Sequence, residues 1–406
     1  MCKQDKKTLS AVFVLALVLR FGFLLAVGDR TRAAEMYDAV DYQAIADNLL
    51  AGRGFVGADG LPTEIRAPVY PLFLAGVNRV FGRGDAPVKS IQIILSSASV
   101  VLIMLIAGII FGSRVALLSG SLMAAYPPLI LYSALKLGES LFTFLMCGLC
   151  YLFVKAVDEE RNVYFYFAGA VQGAACLVRS TLALLPLFLF VYIVFSRSTK
   201  TFLKGFIVYF LISTSIVLVW TVRNYRVFDR FIPITVGSGQ LLWLSAQDDK
   251  WDGDRFVIIS PVREYKDLAN IPMRDWDGEV SKRAIKSAAA HPLRYAKSLG
   301  KNFVTLWTLP VGKVMLEQYS KELAEAYKLV HIALMLLALY GILLSVKNTP
   351  SIMPVLLFLI YLSVMHTIYV AVPRYRLPFE PFVLIFLAKA VTETLKNIRA
   401  RLAPAG

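Results

Sequence analysis

Two aspartates, Asp38 and Asp41, stand three residues apart in MYDAVDYQAIADNLLAGRGF, residues 36–55, shortly after a strongly apolar N-terminal run. Residues at this spacing are neighbours on one face of a helix, so the two carboxylates would face the same way. Beside a membrane, such a carboxylate can accept a proton from a reacting hydroxyl group or orient that group. A solvated amphipathic helix or ordinary capping acids would give the same pattern, so the surrounding sequence has to separate these alternatives.

The composition is that of a membrane protein. Of the 406 residues, 57% are hydrophobic and 17% are charged, against roughly 45–50% and about 25% in soluble domains. The first apolar run, residues 9–27, is long enough to cross a bilayer, which takes about 20 residues. It follows a basic stub but precedes no small-residue cleavage site, so we expect an uncleaved first helix rather than a signal peptide.

The charge and the cysteines point away from nucleic acid and from metal. The formal net charge is +15, but basic residues that flank membrane spans meet anionic lipid on the cytoplasmic side. The chain shows no pattern of interleaved basic and aromatic residues for single strands and no zinc-finger spacing. Cys147, Cys150 and Cys176 lie inside apolar runs, where thiols are usually small packing residues. The three histidines are scattered, so we predict no nucleic-acid partner and no metal site built on histidine or cysteine.

The spacing of the apolar runs predicts an all-α polytopic membrane protein with about ten transmembrane helices. A shorter run, residues 68–81, has about 14 residues and contains Asn78 and Arg79, which favours an interfacial helix over a span. The runs that follow the first helix are residues 89–111, 116–135, 140–154, 163–178, 182–195, 202–222, 329–346, 352–372 and 379–391.

The positive-inside rule supports an interfacial run 68–81, because the short basic loops at Arg114, 155–161, 197–204 and Lys347 then all face the cytoplasm. This topology divides the chain into three parts. Residues 1–222 form an N-terminal catalytic membrane module with a first outer loop at 28–88, residues 223–328 form a small extracytoplasmic subdomain, and residues 329–406 form C-terminal helices and a basic cytoplasmic tail. Within the subdomain, the stretch EVSKRAIKSAAAHPLRYAKSLGKNFVTLW predicts helices that lie along the interface.

This topology gathers polar residues from five places at the outer end of the bundle. A charge near bilayer depth costs a few kcal/mol unless it faces water or a partner. Glu139 could simply pair with Lys136, and Arg179 could extend to the interface. Acids together with several arginines, however, suit a phosphate site, because guanidinium groups grip phosphate through forked donors. The residues concerned are Asp38, Asp41, Lys136, Glu139, Arg179, Arg223, Arg374 and Arg376.

Several motifs, in this order and spacing, resemble the GT-C membrane glycosyltransferases. The similarity is to the dolichyl-phosphate-mannose protein mannosyltransferase type, in particular its bacterial branch, which resembles the aminoarabinose transferases of lipid A modification. It covers nearly the whole chain and implies a GT-C-like bundle. The motifs are DAVDYQAIADNLLAGRGF, RAPVYPLFLAGVNRVFG, AAYPPLILYSALKLGESLF, GAACLVRSTLALLP, VLVWTVRNYRVFDRFIPITVGSGQLLW and PRYRLPFEPFVLIFLA.

The resemblance implies an inverting transfer of a sugar from a polyprenyl-phosphate donor to a lipid, glycan or protein hydroxyl group. The reaction would take place at the outer face of the plasma membrane, the inner membrane of a bacterium. The family aspartate that serves as base or orients the acceptor stands four residues before an aromatic residue, which maps to Asp38 before Tyr42, with Asp41 as the second candidate. Many relatives have Asp-Glu here, whereas this chain has Ala39. A divalent cation therefore stays open as a cofactor.

The remaining site residues follow from the same resemblance. Positive side chains would stabilise the leaving phosphate, and two tyrosines with Glu139 would line the sugar pocket. The candidates for the phosphate are Lys136, Arg179, Arg223, Arg374 and Arg376, and the candidate tyrosines are Tyr42 and Tyr375.

Two other classes of protein compete with an enzyme. A transporter or flippase of lipid-linked glycans would also bury charges, although such proteins often show inverted internal repeats, and none is visible here. A non-catalytic scaffold that keeps the fold is the second alternative. A soluble nucleotide-sugar enzyme is excluded, because no glycine-rich phosphate loop follows a strand. The sequence specifies neither the sugar nor the acceptor.

Overall fold

The computed structural model describes residues 5–28, 37–195, 199–246, 265–268, 271–310, 320–346 and 349–402. These residues fold into helices joined by loops and short 3-10 turns, and they form no β-sheet. The predicted all-α class is confirmed. The helices are α1 Lys6–Val27, α2 Tyr37–Leu50, α3 Val69–Phe81, α4 Asp85–Phe111, α5 Ser113–Ala124, α6 Pro127–Ser133, α7 Glu139–Glu159, α8 Val163–Cys176, α9 Leu185–Phe195, α10 Thr199–Phe228, α11 Ser238–Ala246, α12 Met273–Ala290, α13 Pro292–Thr308, α14 Lys321–Ser345, α15 Thr349–Ile368, α16 Pro373–Arg376 and α17 Glu380–Leu402.

Among the described helices, five are long and apolar enough to cross a membrane by themselves. A bent pair, α5 and α6, makes a sixth candidate, and several shorter apolar helices accompany them. The protein is therefore a multi-span membrane protein, as the sequence predicts, but these helices do not confirm the count of ten. The five are α1, α4, α7, α14 and the part of α10 from Phe202 to Phe228.

The run 116–135, expected as one continuous span, is instead two helices bent by 54° at Ala125 and Tyr126. The break has a local cause, since Pro127 and Pro128 follow directly. Proline disfavours the helical conformation in the residue before it, and Tyr126 is extended, with φ −74° and ψ 112°. The bend turns the chain toward Glu139, which begins α7.

A buried arginine satisfies the backbone at this break. Arg20 of α1 donates to the carbonyl oxygens of Ala124, at 3.0 Å, and Met123, at 3.4 Å, where α5 ends. It also donates to Ser96 Oγ of α4 at 2.9 Å. Free carbonyl groups at a helix end are costly in a bilayer, and a cation there also complements the helix dipole. Arg20 thus holds the broken span against two neighbouring helices.

Small residues let the other spans pack closely. In α8, Gly169 and Gly173 form a GxxxG spacing against α10, the arrangement by which membrane helices bring their backbones together. A Cβ atom at Gly169 would lie 2.7 Å from the carbonyl oxygen of Tyr209, and one at Gly173 would lie 2.7 Å from Cβ of Ile216. Both glycines are therefore required for the contact between α8 and α10.

The segment after α10 packs on the same end of the bundle as α2. Asp277 of α12 accepts hydrogen bonds from the backbone N–H groups of Gly237 and Gln240 and so caps α11. A small apolar cluster around Trp243 and Trp276 continues into Val372, just before α16. The stretch expected to be helical forms α12 and α13, separated at His291. Lys347, one of the basic positions expected on the cytoplasmic side, lies outside the described residues.

Candidate active site

Asp38 lies at the centre of the candidate site, with a different arginine on each of its carboxylate oxygens. Oδ1 lies 2.7 Å from Nη2 of Arg66, and Oδ2 lies 3.0 Å from Nη1 of Arg374. Asp38 belongs to the first turn of α2, Arg66 to the loop before α3, and Arg374 to the short helix α16. Three segments that are distant in sequence therefore meet at one carboxylate.

Each of these two arginines is also held by a second acid. Arg66 donates from Nε and Nη2 to Oδ2 of Asp41, at 3.1 Å and 2.7 Å. Arg374 donates from Nε to Oε1 of Glu139, and that same oxygen accepts a hydrogen bond from Nη2 of Arg179. We call these six residues, Asp38, Asp41, Arg66, Glu139, Arg179 and Arg374, the Asp38 network. It contains three carboxylates and three guanidinium groups.

The network runs from the surface into the protein. The side chains of Asp41 and Asp38 are 47% and 29% exposed, whereas that of Glu139 is fully buried. An acid buried in this way requires charged partners, and Glu139 has them in Arg179 and Arg374. The simpler explanations considered for these two charges are therefore wrong. Glu139 pairs with the two arginines instead of Lys136, and Arg179 turns inward to Glu139 instead of extending to the interface.

Aromatic rings, among them those of Tyr42 and Tyr375, line the network. The guanidinium carbon of Arg66 lies 5.4 Å from the ring centre of Tyr42, and that of Arg179 lies 5.5 Å from the ring centre of Tyr375. At these distances a cation is attracted by the face of the ring. Tyr375 also stacks on His366, with ring centres 5.0 Å apart. The rings fix where the guanidinium groups lie.

The arginines set the protonation state of Asp38. Burial raises the pKa of the Asp38 carboxyl group, but the charges of Arg66 and Arg374 outweigh burial and hold this pKa below its ordinary value. Asp38 is therefore ionised at neutral pH. To accept a proton, Asp38 must first break at least one of its two ion pairs, and this step costs free energy.

Three of the predicted phosphate ligands do not join the network. Lys136 pairs with Asp85 at 2.8 Å. Arg223 donates to the carbonyl oxygens of Phe55 and Thr63 and so fastens the first loop to the end of α10. Arg376, fully buried, pairs with Glu380 at 2.8 Å and donates to the carbonyl oxygen of Leu306 in α13. These contacts give all three a structural reason for their charge.

The acids do not fit a metal site. Among the residues that the structure describes, no three His, Cys, Asp or Glu side chains are grouped so as to hold a metal ion. Asp38 and Asp41 share Arg66, and Glu139 is held by two arginines, so each carboxylate is already charge-compensated. Ala39 occupies the place of the second acid of the Asp-Glu pair. The positive charges that balance these carboxylates therefore come from the arginines of the network.

Arg66 is the site residue that sequence reasoning missed. Its signal was available: it begins RAPVYP, a motif that carries the family resemblance, immediately before a helix expected at the membrane surface. It was passed over because a single arginine in a polar loop resembles an ordinary interfacial charge. Only the fold shows that the loop returns this residue to within 2.7 Å of both Asp38 and Asp41.

Residues 65–223 match a family model described as dolichyl-phosphate-mannose-protein mannosyltransferase. The matched part begins just before Arg66 and ends at Arg223, so it contains Glu139 and Arg179 but neither Asp38 nor Arg374. None of the curated protein sequences matches the chain significantly.

Solved structures resemble this fold over nearly the whole chain. The oligosaccharyltransferase of Archaeoglobus fulgidus, tethered to an acceptor peptide, aligns with a TM-score of 0.59 and 15% identity over 98% of this chain and 51% of its own. The oligosaccharyltransferase AglB of Archaeoglobus fulgidus, in complex with an inhibitory peptide and a dolichol-phosphate, aligns with a TM-score of 0.57 and 15% identity over 97% of this chain and 51% of its own. ArnT of Cupriavidus metallidurans bound to undecaprenyl phosphate covers 93% and 77%, with 16% identity and a TM-score of 0.43.

This chain spans about half the length of the archaeal structures that it matches. At 15% identity the likeness establishes the fold, and that fold is the GT-C membrane fold. The resemblance predicted from the sequence motifs is therefore confirmed by the family match and by the fold.

Proposed function

We propose that this chain, with its GT-C membrane fold, is an inverting glycosyltransferase that uses a polyprenyl-phosphate-linked sugar. The acceptor is a hydroxyl group of a lipid, glycan or protein. The observation that carries the proposal is the position of Asp38 between Arg66 and Arg374. An ionised carboxylate and two phosphate-binding groups thus lie side by side, which is what a phosphate-linked donor and a hydroxyl acceptor require.

The proposed reaction is a single displacement. The acceptor oxygen attacks the anomeric carbon, a new C–O bond forms, and the bond between that carbon and the phosphate oxygen breaks. The bonding electron pair stays on the phosphate, and the hydroxyl proton passes to Asp38. Attack opposite the leaving group inverts the anomeric carbon. Arg66 and Arg374 stabilise the charge that develops on the leaving phosphate, which replaces acid catalysis by electrostatic catalysis.

An exposed face of α10 supports delivery of the donor from the membrane. Its apolar side chains include Leu218 and Val219, which are 52% and 74% exposed. Arg223 and Arg226 lie toward the end of the same helix, and Arg223 is also the residue that fastens the loop leading to Arg66. An exposed apolar face that leads to arginines suits the approach of an isoprenoid chain with a phosphate head.

We place the reaction at the outer face of the bacterial inner membrane. The support is the distribution of basic loops, which face the cytoplasm when the loop carrying Asp38 lies outside. Contacts of Arg223 with the first loop, and of Arg274 with Glu64 at 3.5 Å, support a shared face for that loop and for the segment after α10. The three-part division at residues 222 and 328 is proposed on the same grounds.

The test is sugar transfer by purified protein in proteoliposomes that contain a radiolabelled polyprenyl-phosphate sugar and a membrane extract as the source of acceptor. We expect Asp38→Asn to lower turnover by about 10²–10⁴-fold, because the amide keeps the shape but accepts no proton. Asp47→Asn is the matched control, since Asp47 lies on the same helix but pairs with Arg83 at 3.7 Å. Full turnover by Asp38→Asn would refute the catalytic role. Movement of the labelled lipid between leaflets without any transfer by the wild-type protein would establish a flippase instead.

A further inference from the structure

The proposed catalytic base is engaged by the groups that should bind the donor. Both oxygens of Asp38 are taken by guanidinium groups, from Arg66 and Arg374. The Asp38 network as a whole balances three carboxylates against three arginines. A phosphate added to this arrangement brings a further negative charge, which the six described residues of the network do not balance with any surplus positive charge. Binding of the donor in this place therefore requires a carboxylate to leave.

We propose that Asp38 occupies the donor-phosphate site of the ligand-free protein, and that the incoming phosphate displaces it from Arg66 and Arg374. The inference rests on the proposed function, and it assigns a binding role to Arg66. A carboxylate and a phosphate present similarly spaced oxygens to the forked guanidinium group, so one can stand in for the other. Donor binding thereby converts Asp38 from a paired anion into an available base.

The contacts single out Asp38 as the carboxylate that leaves. If Asp38 withdraws, Arg66 stays anchored through Nε and Nη2 to Asp41, and Arg374 stays anchored through Nε to Glu139. Glu139 cannot leave in its place, because it is fully buried. The side chain of Asp38 is 29% exposed and has room to turn toward solvent. Each arginine thus keeps its ion pair with one acid while the phosphate replaces Asp38 as its other partner.

The proton transfer then makes the exchange directional. Once Asp38 has taken the acceptor proton it is neutral and no longer competes for the two arginines. The leaving phosphate has meanwhile gained negative charge, so the arginines hold it more strongly. When Asp38 loses its proton to water, the carboxylate can recover its ion pairs and help to expel the polyprenyl phosphate. The order of events should consequently be fixed. The donor binds first, and only then can Asp38 activate the hydroxyl group of the acceptor.

The experiment measures binding of undecaprenyl phosphate to the purified full-length protein in detergent micelles, by microscale thermophoresis. If Asp38 competes with the phosphate, only the fraction of wild-type protein whose arginines are free of Asp38 can bind undecaprenyl phosphate. The apparent affinity for undecaprenyl phosphate is lowered in proportion to that fraction. We therefore expect Asp38→Asn to bind undecaprenyl phosphate more tightly than the wild type, by about five-fold or more. Asp47→Asn, on the same helix, should bind like the wild type. Unchanged or weaker binding by a folded Asp38→Asn protein would overturn the inference.

A second variant keeps the test decisive if Asp38→Asn does not fold, which thermal unfolding would reveal. Arg66→Met should weaken binding of undecaprenyl phosphate by about ten-fold or more, because a charge-assisted pair is lost. Arg83→Met is its control, since Arg83 is 66% exposed and pairs with Asp47. Wild-type affinity of Arg66→Met would overturn the inference. Turnover separates the two proposals: an active Asp38→Asn protein refutes the function, whereas an inactive one without tighter binding refutes only the exchange.

Discussion

The protonation of Asp38 is set by two opposing effects that the structure separates. Burial raises the pKa of its carboxyl group, while the charges of Arg66 and Arg374 lower it by more. A carboxyl group with a lowered pKa stays ionised as the pH falls and is protonated only below its ordinary value, which is 3.8. Asp38 is therefore ionised over the whole physiological range, although its two ion pairs engage both of its oxygens.

This balance predicts the pH dependence of the free enzyme. The wild-type kcat/KM should show no loss that belongs to Asp38 as the pH falls from about 7.5 to about 5, because kcat/KM reports groups of the free enzyme. Arg66→Met removes one of the two lowering charges and leaves burial in place, so its acid limb should move to higher pH. The measurement is the shape of the kcat/KM profile in detergent. Arg83→Met should keep the wild-type limb, and an unshifted limb in Arg66→Met would contradict the assignment.

At this scale the sequence could identify types of residue but not their pairing. The family resemblance maps the aspartate of the first outer loop to Asp38, four residues before Tyr42, and in the structure Asp38 contacts both Arg66 and Arg374. Arg374 and Arg376 looked equivalent, since they stand two apart in PRYR. A single turn of α16 directs the first to Asp38 and the second to Glu380 and α13. No local pattern distinguishes the two, because their partners lie far away in the chain.

The helices that hold the network depend on close backbone contacts. Gly169 faces α10 so closely that a Cβ atom would lie 2.7 Å from the carbonyl oxygen of Tyr209. Gly148, in the neighbouring span α7, has its nearest neighbour, Leu102 Cδ1, at 4.0 Å from the same hypothetical atom, which is an ordinary contact. The two glycines thus form a matched pair, in which one site is crowded and the other has room.

We expect Gly169→Ala to destabilise the protein by about 1–3 kcal/mol, the usual range for overpacking, because α8 and α10 must separate. Gly148→Ala should leave stability near the wild-type value or raise it slightly, because alanine favours the helix. Thermal unfolding in one detergent measures both. Equal unfolding temperatures for the two variants would show that the contact between α8 and α10 is looser than the structure indicates.

Hydropathy identified the apolar elements but not their interruptions. The run 116–135 carries no charged residue, and its length suits a span, yet the structure breaks it at Ala125 and Tyr126. Arg20, which lies within the first apolar run, donates to the free carbonyl groups of that break. The two prolines interrupt the helix locally, but a partner helix supplies the hydrogen bonds that stabilise the bend. Such a partner cannot be deduced from the composition of a single run.

For the molecule as a whole, the contacts put the first loop and the segment after α10 on one face. Arg223 donates to backbone oxygens of Phe55 and Thr63, and Arg274 lies 3.5 Å from Glu64. The basic loop around Arg161, which joins α7 to α8, lies at the opposite end of α7 from Glu139. Because positive loops stay in the cytoplasm, the face with Glu139 and Asp38 should be the outer one.

Cysteine labelling in intact cells tests this orientation, in a background whose native cysteines are replaced by alanine. Leu61 and Leu293 suit the outer face, because they are 63% and 87% exposed and lie on the two segments that share it. Arg161, 65% exposed, suits the inner face. A membrane-impermeant maleimide should label Leu61→Cys and Leu293→Cys directly, and Arg161→Cys only after permeabilisation, because the bilayer separates the sites. The reverse pattern would put Asp38 on the cytoplasmic side, and the donor sugar would then have to be presented from within the cell.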